Sequence, residues 1–364
     1  MNVLALVGDA FGGHGGIAQY NRDLFTSLAM SGCAKQIVVL PRHGHCDPAD
    51  LPGGATQLAP MPKSRYPFTS LRVAVGAGPF DVVFCGHLNL APLAAIVARL
   101  INAPLWVQLH GEEAWKPTRL QVWAAKRAVL VTAVSRYTRR RFIQSVAIEP
   151  DRIRVLPNTV DGKFSPGPPP SYLIERHGLR GKRVLLTVGR LSADERGKGH
   201  DRIIGALPGL IADHPDLVYL VVGDGDDRRG LEAAARQSTV SDHVVFAGAV
   251  APEELADYYR LATAFVMPSV QEGFGIAFLE AAASGIVPIG GNSDGSVDAL
   301  ADGIIGMTID PTSQTQLVAA IRTVLGGCGP DPMQVQRFRR DKFAAHLRDL
   351  VTACLIPATR QEAV

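Results

Sequence analysis

Ser269-Val270-Gln271-Glu272-Gly273-Phe274-Gly275-Ile276-Ala277-Phe278-Leu279-Glu280-Ala281-Ala282-Ala283-Ser284-Gly285 is the stretch on which the reading of this chain turns. An apolar run precedes it, Ala264 to Pro268, and another follows, Ile286 to Gly290. Each has the character of a buried parallel strand. Between them a glycine-rich loop opens a short segment of helical composition, which Gly285 is placed to close. The unit is therefore strand, loop, helix, strand, with Glu272 in the loop and Glu280 on the helix.

Ile276, Leu279 and Ala283 mark the inward face of that helix, and Glu280 falls on the same side as Ile276. An ionised carboxylate facing inward is costly unless something pairs with it. Glu272 follows the C-terminal end of a strand, where open α/β sheets bind ligands, and Gly273 and Gly275 let backbone amides approach a ligand closely. Two carboxylates beside exposed amides suit a polyhydroxylated ligand, since carboxylates accept from hydroxyls. The plainer alternative is one surface Glu and one Glu salt-bridged inside the fold.

Glu272 and Glu280 form the E-x7-E pattern of retaining GT-B glycosyltransferases. The Glu-Gly-Phe-Gly start and the Glu-Ala at the second glutamate resemble family 4 of those enzymes. The resemblance implies an α/β protein of two Rossmann-like, doubly wound domains facing across a cleft. The boundaries expected are 1–165 for an acceptor-binding domain and 166–340 for a nucleotide-sugar domain. Residues 341–364 would form a last helix crossing back to the first domain.

The length, 364 residues, fits roughly two cores. The hydrophobic content of 47% with 20% charged residues is that of an ordinary globular protein, and no apolar run is long enough to span a bilayer. The chain opens directly on a strand with no basic leader, which predicts no signal peptide. Cys33, Cys46, Cys85, Cys328 and Cys354 are odd in number and form no Cys-x-x-Cys pair, which favours a reducing cytosol over a disulfide framework or a zinc site. Cys33 and Cys85 read as small core residues. The charge is uneven: residues 1–165 carry 18 Lys and Arg against 10 Asp and Glu, the remainder 19 against 24, giving +8 and −5 within a net +3.

The first strand, Asn2 to Val7, runs into a glycine loop ending Gly15-Gly16, ahead of a helix from about Ile17 to Ser31. Such a loop offers unpaired N–H groups to an anion, but it lacks the Gly-x-Gly-x-x-Gly of dinucleotide binders. Strands are predicted at Gln36–Leu40, Phe80–Cys85, Pro104–Leu109, Val129–Val134 and Arg152–Leu156, and their alternation with helices implies a mostly parallel sheet. The proline-rich segment from Arg42 to Ala77 reads as loop, with Lys63 to Tyr66 either solvated or part of an acceptor pocket. His110, at a strand's C-terminal end, is placed toward a ligand. Lys126, Arg127, Arg136, Arg139 and Arg140 form a basic patch that is either a solvated face or a site for anionic lipid. No nucleic-acid motif accompanies it.

Residues 163–182, with Pro166, Pro168, Pro169 and Pro170, read as the interdomain linker. Beyond it, Arg190 leaves a predicted strand, Arg183–Val188, and Lys198 enters from a glycine-flanked loop before a helix, so that two cations can meet one diphosphate. Further strands, Leu217–Val222 and His243–Ala247, lead to Gly223-Asp224-Gly225 and to Gly248-Ala249-Val250. A closing helix is expected from about Met333 to Cys354.

The family resemblance implies catalytic roles for Arg190, Lys198, Glu272 and His110. It implies donor contacts from Gly15, Gly16, Gly223, Val250, Phe274, Gly275, Ile276 and Glu280, with Glu280 on the ribose and Val250 near the base. The expected reaction is retaining hexosyl transfer from a UDP-sugar or GDP-mannose to a glycan or lipid-linked hydroxyl, as in polysaccharide or lipopolysaccharide assembly. It needs no metal and no cofactor other than the donor. The expected setting is cytoplasmic, with peripheral membrane contact. A GT-B epimerase acting on a sugar nucleotide and a non-catalytic GT-B scaffold remain as alternatives. A dehydrogenase is disfavoured, because the second strand ends Leu40-Pro41-Arg42-His43 without an acidic residue.

Overall fold

The computed structural model describes residues 1–44 and 51–355, with nothing said of the side chains of residues 194–196. Cys46 and Pro48 lie outside the described residues. The chain divides into two compact units: Met1–Thr159 together with the segment from Arg340 onward, and Val160–Arg339. The division falls a few residues ahead of the expected 165/166 boundary, because Val160 N–H donates to the Phe338 carbonyl at 3.1 Å and so belongs with unit two.

Unit one is built on a parallel sheet of β1 (Asn2–Val7), β2 (Gln36–Pro41), β3 (Ala55–Gln57), β4 (Val82–Cys85), β5 (Leu105–Leu109), β6 (Leu130–Ala133) and β7 (Ile153–Val155), in the order β3-β2-β1-β4-β5-β6-β7. From Val3 to Val7 every residue of β1 is buried, which requires helices on both faces. On one face lies α1 (Gly16–Met30), whose Phe25 meets Phe84 edge-on at 5.6 Å. On the other, α2 (Tyr66–Gly76), α3 (Ala91–Leu100), α5 (Arg119–Ala125) and α6 (Arg136–Ser145) share a core with Leu4, Val83 and Val107; the short α4 (Glu112–Trp115) packs beside α6.

Three expectations change here. The segment read as loop contains β3 and α2. Tyr66 is a core residue, buried with its hydroxyl donating to the Leu40 carbonyl at 2.8 Å, rather than part of a solvated loop or a pocket. Cys85 is buried as expected, but Cys33 is half-exposed.

Unit two contains β8 (Arg183–Val188), β9 (Leu217–Val222), β10 (Val244–Gly248), β11 (Ala264–Met267), β12 (Pro288–Gly291) and β13 (Met307–Ile309), all parallel, in the order β10-β9-β8-β11-β12-β13. Its helices are α7 (Ser171–His177), α8 (His200–Asp213), α9 (Arg228–Gln237), α10 (Leu255–Leu261), α11 (Ile276–Ala283), α12 (Ser296–Ala299) and α13 (Gln314–Leu325). From β8 the strand order runs outward one way through β9 and β10 and the other way through β11. The loops after β8 and β11 therefore part at a topological switch point, the place where open α/β sheets bind ligands.

The stretch expected to be a linker is packed into this unit. Arg260 Nε donates to the Ser165 carbonyl at 3.0 Å, Lys163 Nζ to that of Pro252 at 3.1 Å, and Ser171–His177 is helical. The final helix, α14 (Arg340–Cys354), starts later than expected, after a 3₁₀ turn at Pro332–Phe338. It lies on α1: Arg340 pairs with buried Asp23 at 2.8 Å, and Phe343 meets Tyr20 edge-on at 6.1 Å.

Candidate functional site

At the switch point of unit two, Lys198 Nζ lies 2.6 Å from Glu272 Oε1, with side chains only 19% and 17% exposed. The sequence arranges this through glycines. Lys198 lays its alkyl stem over Gly189, where a Cβ would come within 3.2 Å of Lys198 Cδ. Gly199 caps α8 with φ +80°, and a Cβ there would stand 2.6 Å from the Pro268 carbonyl oxygen. The loop carrying Lys198 is thus pressed against the loop carrying Glu272, and Val270 N–H donates to the Gly197 carbonyl at 2.8 Å.

The Gly223-Asp224-Gly225 turn crosses the chain at Gly189-Arg190-Leu191. A Cβ on Gly223 would fall 1.9 Å from the Gly189 oxygen, and one on Gly225 2.0 Å from the Leu191 oxygen. The first role visible for Gly223 is this backbone crossing, which fixes the main chain on either side of Arg190; the Arg190 side chain is exposed beyond β8. Val250 follows β10, half-buried, one turn beyond Gly248, which bridges to Gly223.

Glu272 is held from both sides of its own backbone. Its N–H donates to Asp294 Oδ2 at 2.8 Å, and its carbonyl accepts from Gly295 N–H at 2.8 Å. Asp294 is buried. Ser269 Oγ donates to its Oδ2 at 2.9 Å and Ser296 N–H to its Oδ1 at 2.9 Å, while burial pushes its carboxyl above the usual carboxylate range. Sequence reading did not single out this carboxylate, whose signal there is an Asp inside a glycine turn at a strand end.

In α11 Leu279 and Ala283 are buried as expected, together with Phe278, Ala281 and Ala282, while Ile276 is only half-buried. Glu280 is half-buried on the flank, where its Oε2 accepts from the Tyr259 hydroxyl at 2.7 Å. Phe274 turns its ring into the core, edge-on to Phe338 at 6.0 Å, and Gly275 has φ +88° with a Cβ position 2.6 Å from the Phe278 ring. Only the backbone of these two residues is available to a ligand.

Two residues after Lys198, His200 closes a buried chain of hydrogen bonds. Thr187 Oγ1 donates to the Val266 carbonyl at 2.5 Å, so it accepts from the Tyr219 hydroxyl at 2.9 Å. The Tyr219 oxygen, 2.8 Å from His200 Nδ1, is left to accept. The proton therefore sits on Nδ1, and Nε2 is a buried lone pair with no hydrogen-bond partner. Burial first, and the Lys198 charge second, lower the imidazole to about 4.

In unit one the corresponding switch point lies between β1 and β4. The loop after β1 is pinned from within α1: Asn21 Nδ2 donates to the Asp9 carbonyl at 2.8 Å, and Arg22 Nη1 to the carbonyls of Ala10 at 2.9 Å and Gly13 at 2.7 Å. Gly15 is the N-cap of α1 at φ +89° with open space where a Cβ would stand, and Gly15 and Gly16 are both exposed. His110 leaves the end of β5. Its Nε2 is 3.0 Å from the Gly86 carbonyl, and its backbone N–H donates to Glu113 Oε1 at 2.6 Å. A carbonyl only accepts, so Nε2 carries the proton and Nδ1 keeps its lone pair; burial lowers the ring to about 4, holding it neutral.

Within the expected basic patch the arginines turn in different directions. Arg139 turns to the backbone, its Nε donating to the Ile153 carbonyl and its Nη2 to that of Pro150, both at 2.8 Å. Arg140 instead lies over the Tyr137 ring at 5.7 Å, and Arg127 over Trp123 at 4.3 Å. Among the described residues no group of three or more His, Cys, Asp or Glu gathers as a metal site would require, and no helix is long and apolar enough to cross a membrane.

Comparison with known proteins agrees with this geometry. Residues 14–164 match Glycosyltransferase Family 4 and residues 173–331 match Glycosyl transferases group 1. A GDP-mannose-dependent alpha-(1-6)-phosphatidylinositol monomannoside mannosyltransferase of Mycolicibacterium smegmatis is 34% identical over 274 residues, 71% of this chain and 69% of its own. Its namesake from Mycobacterium tuberculosis is 29% identical over 96% of this chain and 97% of its own. Among solved structures, Anabaena HepE in complex with UDP and glucose superposes with a TM-score of 0.77 at 20% identity, over 97% of this chain and 100% of that one. The catalytic domain of starch synthase IV from Arabidopsis thaliana gives 0.76 at 14% identity, over 97% and 99%. With both halves matched, and with strand-end loops arranged as that fold requires, the chain belongs to the group 1, family 4 glycosyl transferases of the GT-B fold.

Proposed function

We propose that this glycosyltransferase moves a hexosyl group, with retention, from a nucleoside diphosphate sugar to a hydroxyl of a membrane glycolipid. The observation that carries the reading is the Lys198–Glu272 pair at the switch point of unit two. A largely covered ammonium just ahead of α8 would suit a diphosphate, and a carboxylate beside it sugar hydroxyls. Donor phosphate would take Lys198 from Glu272, leaving the carboxylate to accept from the sugar. Glu280, oriented by Tyr259, would accept from the ribose hydroxyls. Gly15 and Gly16 would approach the diphosphate, and Nδ1 of neutral His110 would accept from a sugar hydroxyl.

In the reaction, the bond from the anomeric carbon to the phosphate oxygen breaks and one to the acceptor oxygen forms on the same face. The acceptor proton passes to the departing phosphate. Arg190 and Lys198 stabilise the charge that grows there, without a metal; preorganised groups of this kind are worth about 3–4 kcal/mol each. The names of the relatives support GDP-mannose as the first donor to try and a phosphatidylinositol monomannoside as the model acceptor. They give no support to the expected lipopolysaccharide acceptor.

The test is titration of GDP, UDP, dTDP and ADP into the protein in chelator, followed by transfer from the sugar nucleotide that binds, with the anomeric configuration of the product read by NMR. Net transfer with retention supports the proposal. A new sugar left on the same nucleotide would establish the epimerase, and failure of every nucleotide to bind would favour a scaffold.

A further inference from the structure

Three neighbouring helices of unit one expose apolar side chains that nothing in the fold covers. On α2, Phe68 and Val75 are 73% and 68% exposed, with Arg72 between them on the same helical stripe. On α3, Ile96 and Leu100 are 51% and 55% exposed, with Arg99 beside them. On α5, Leu120 and Trp123 are 66% and 36% exposed, and Arg127 lies over the indole. The helices pack side by side on one face of the sheet and turn their other sides into a common core. A monomeric soluble surface rarely gathers so much apolar area in one place.

The charge carried by these three helices has a single sign. None of the three helices contains an Asp or Glu. Lys63, Arg65, Arg119 and Lys126, just outside the stripes, are exposed as well. Each stripe thus offers two apolar groups to an acyl boundary and one guanidinium to a headgroup, and an exposed indole is a side chain that settles at such a boundary. A second copy of the chain would bring the arginines of two such faces together, and a typical protein partner surface is not so uniformly anionic. An anionic bilayer matches both features.

We propose that the outer face of α2, α3 and α5 is the membrane-docking surface, seating Phe68, Leu120 and Trp123 among the headgroups of an anionic leaflet. This rests on the membrane acceptor proposed above and moves the contact away from α6, where Arg139 is spent on backbone carbonyls.

The experiment is flotation of the full chain with vesicles of phosphatidylcholine alone and of phosphatidylcholine mixed with phosphatidylglycerol. Binding is expected to the mixed vesicles only. Replacing Arg72, Arg99 and Arg127 with Gln should weaken it roughly a hundredfold; Leu120→Ser with Trp123→Ser should abolish it; Arg140→Gln should change it little. Brominated acyl chains should quench tryptophan fluorescence in the wild type and not in Trp123→Phe. Undiminished binding by the triple-arginine variant overturns the proposal, as does absence of binding. So does a dimer in the vesicle-free protein that Trp123→Ser dissociates, which would give the face to a second copy. Calorimetric binding of the sugar nucleotide, measured on the same variants without lipid, should be unchanged. Loss of vesicle binding with retained nucleotide binding separates failure of docking from failure of the enzymatic reading.

Discussion

Tyr259 donates its phenolic proton to Glu280 Oε2 across 2.7 Å, tying α10 to α11. The phenol is buried, and burial first, the nearby carboxylate second, raise its pKa well above the ordinary tyrosine value, so it stays a donor at any working pH. Tyr259→Phe removes that donor and with it one of the contacts that orient the Glu280 carboxylate. The expected result is a several-fold rise in KM for the donor with kcat nearly unchanged, and a stability loss of about 1 kcal/mol. Steady-state kinetics with a thermal melt checks both; a fall confined to kcat would place Glu280 in the chemistry instead.

Lys198 and Glu272 should behave as a coupled pair. Lys198→Ala is expected to lower kcat by roughly 10²–10³. Glu272→Gln, which keeps an acceptor oxygen but loses the charge, should cost less in kcat and more in KM. The double variant should fall short of the sum of the two, because each single change already breaks the 2.6 Å contact. Full additivity in a double-mutant cycle would mean the pair is a resting contact without a role in turnover.

Asp294 places each oxygen on a different backbone amide, Oδ2 on Glu272 and Oδ1 on Ser296. Asn has only one acceptor oxygen, so Asp294→Asn must orphan one amide. A loss of about 1–3 kcal/mol in stability is expected, with donor KM rising because the Glu272 loop loosens. Urea unfolding with parallel kinetics reads both effects.

The pH dependence of stability has a definite sign at His200. Its folded value, about 4, lies below that of the unfolded chain, so the unfolded state binds the extra proton between the two. Stability is full above about pH 6.5 and falls as the pH drops toward 4, by at most about 1.4 kcal/mol per unit from this group. His200→Asn is expected to melt lower at neutral pH and to show a flatter decline from pH 7 to 5. An unchanged slope would assign the acid sensitivity elsewhere, His110 being the next group with the same shift.

Two glycines at strand-end loops should respond differently to one methyl group. Gly225→Ala drives a Cβ to within 2.0 Å of the Leu191 carbonyl, whereas Gly15→Ala meets nothing within 4 Å and bears only the strain of its φ of +89°. The first should abolish nucleotide binding and lower the melting temperature sharply. The second should cost about 1–2 kcal/mol and fold normally. Circular dichroism and calorimetry on the two variants test this.

The strands of both sheets and the Glu272–Glu280 unit were legible because apolar runs, closing glycines and a fixed spacing are local properties. What escaped was non-local or masked. The prolines from Pro60 to Pro67 hid α2, yet Pro67 sits in the first turn, where a missing N–H costs nothing. The three-residue β3 pairs only with β2 at the sheet edge, and so short a strand leaves almost no pattern. Asp294 and Tyr259 act across 22 and 21 residues of sequence, a distance over which side-chain pairing leaves no periodic trace. Arg139 was placed on the right helix, but an arginine is long enough to bend back to its own fold's carbonyls, and spacing cannot tell which way it turns.

The return of α14 to α1 has a consequence for biosynthesis. Unit two is one uninterrupted segment, Val160–Arg339, whereas unit one is assembled from a first part and a late addition. A ribosome therefore emits all of the first sheet, then the whole of the second, before Phe343, Leu347 and Val351 emerge to be buried in unit one. Until then the side of Tyr20 that Phe343 will meet stands open. The nascent chain must hold an unfinished domain for the time needed to translate another.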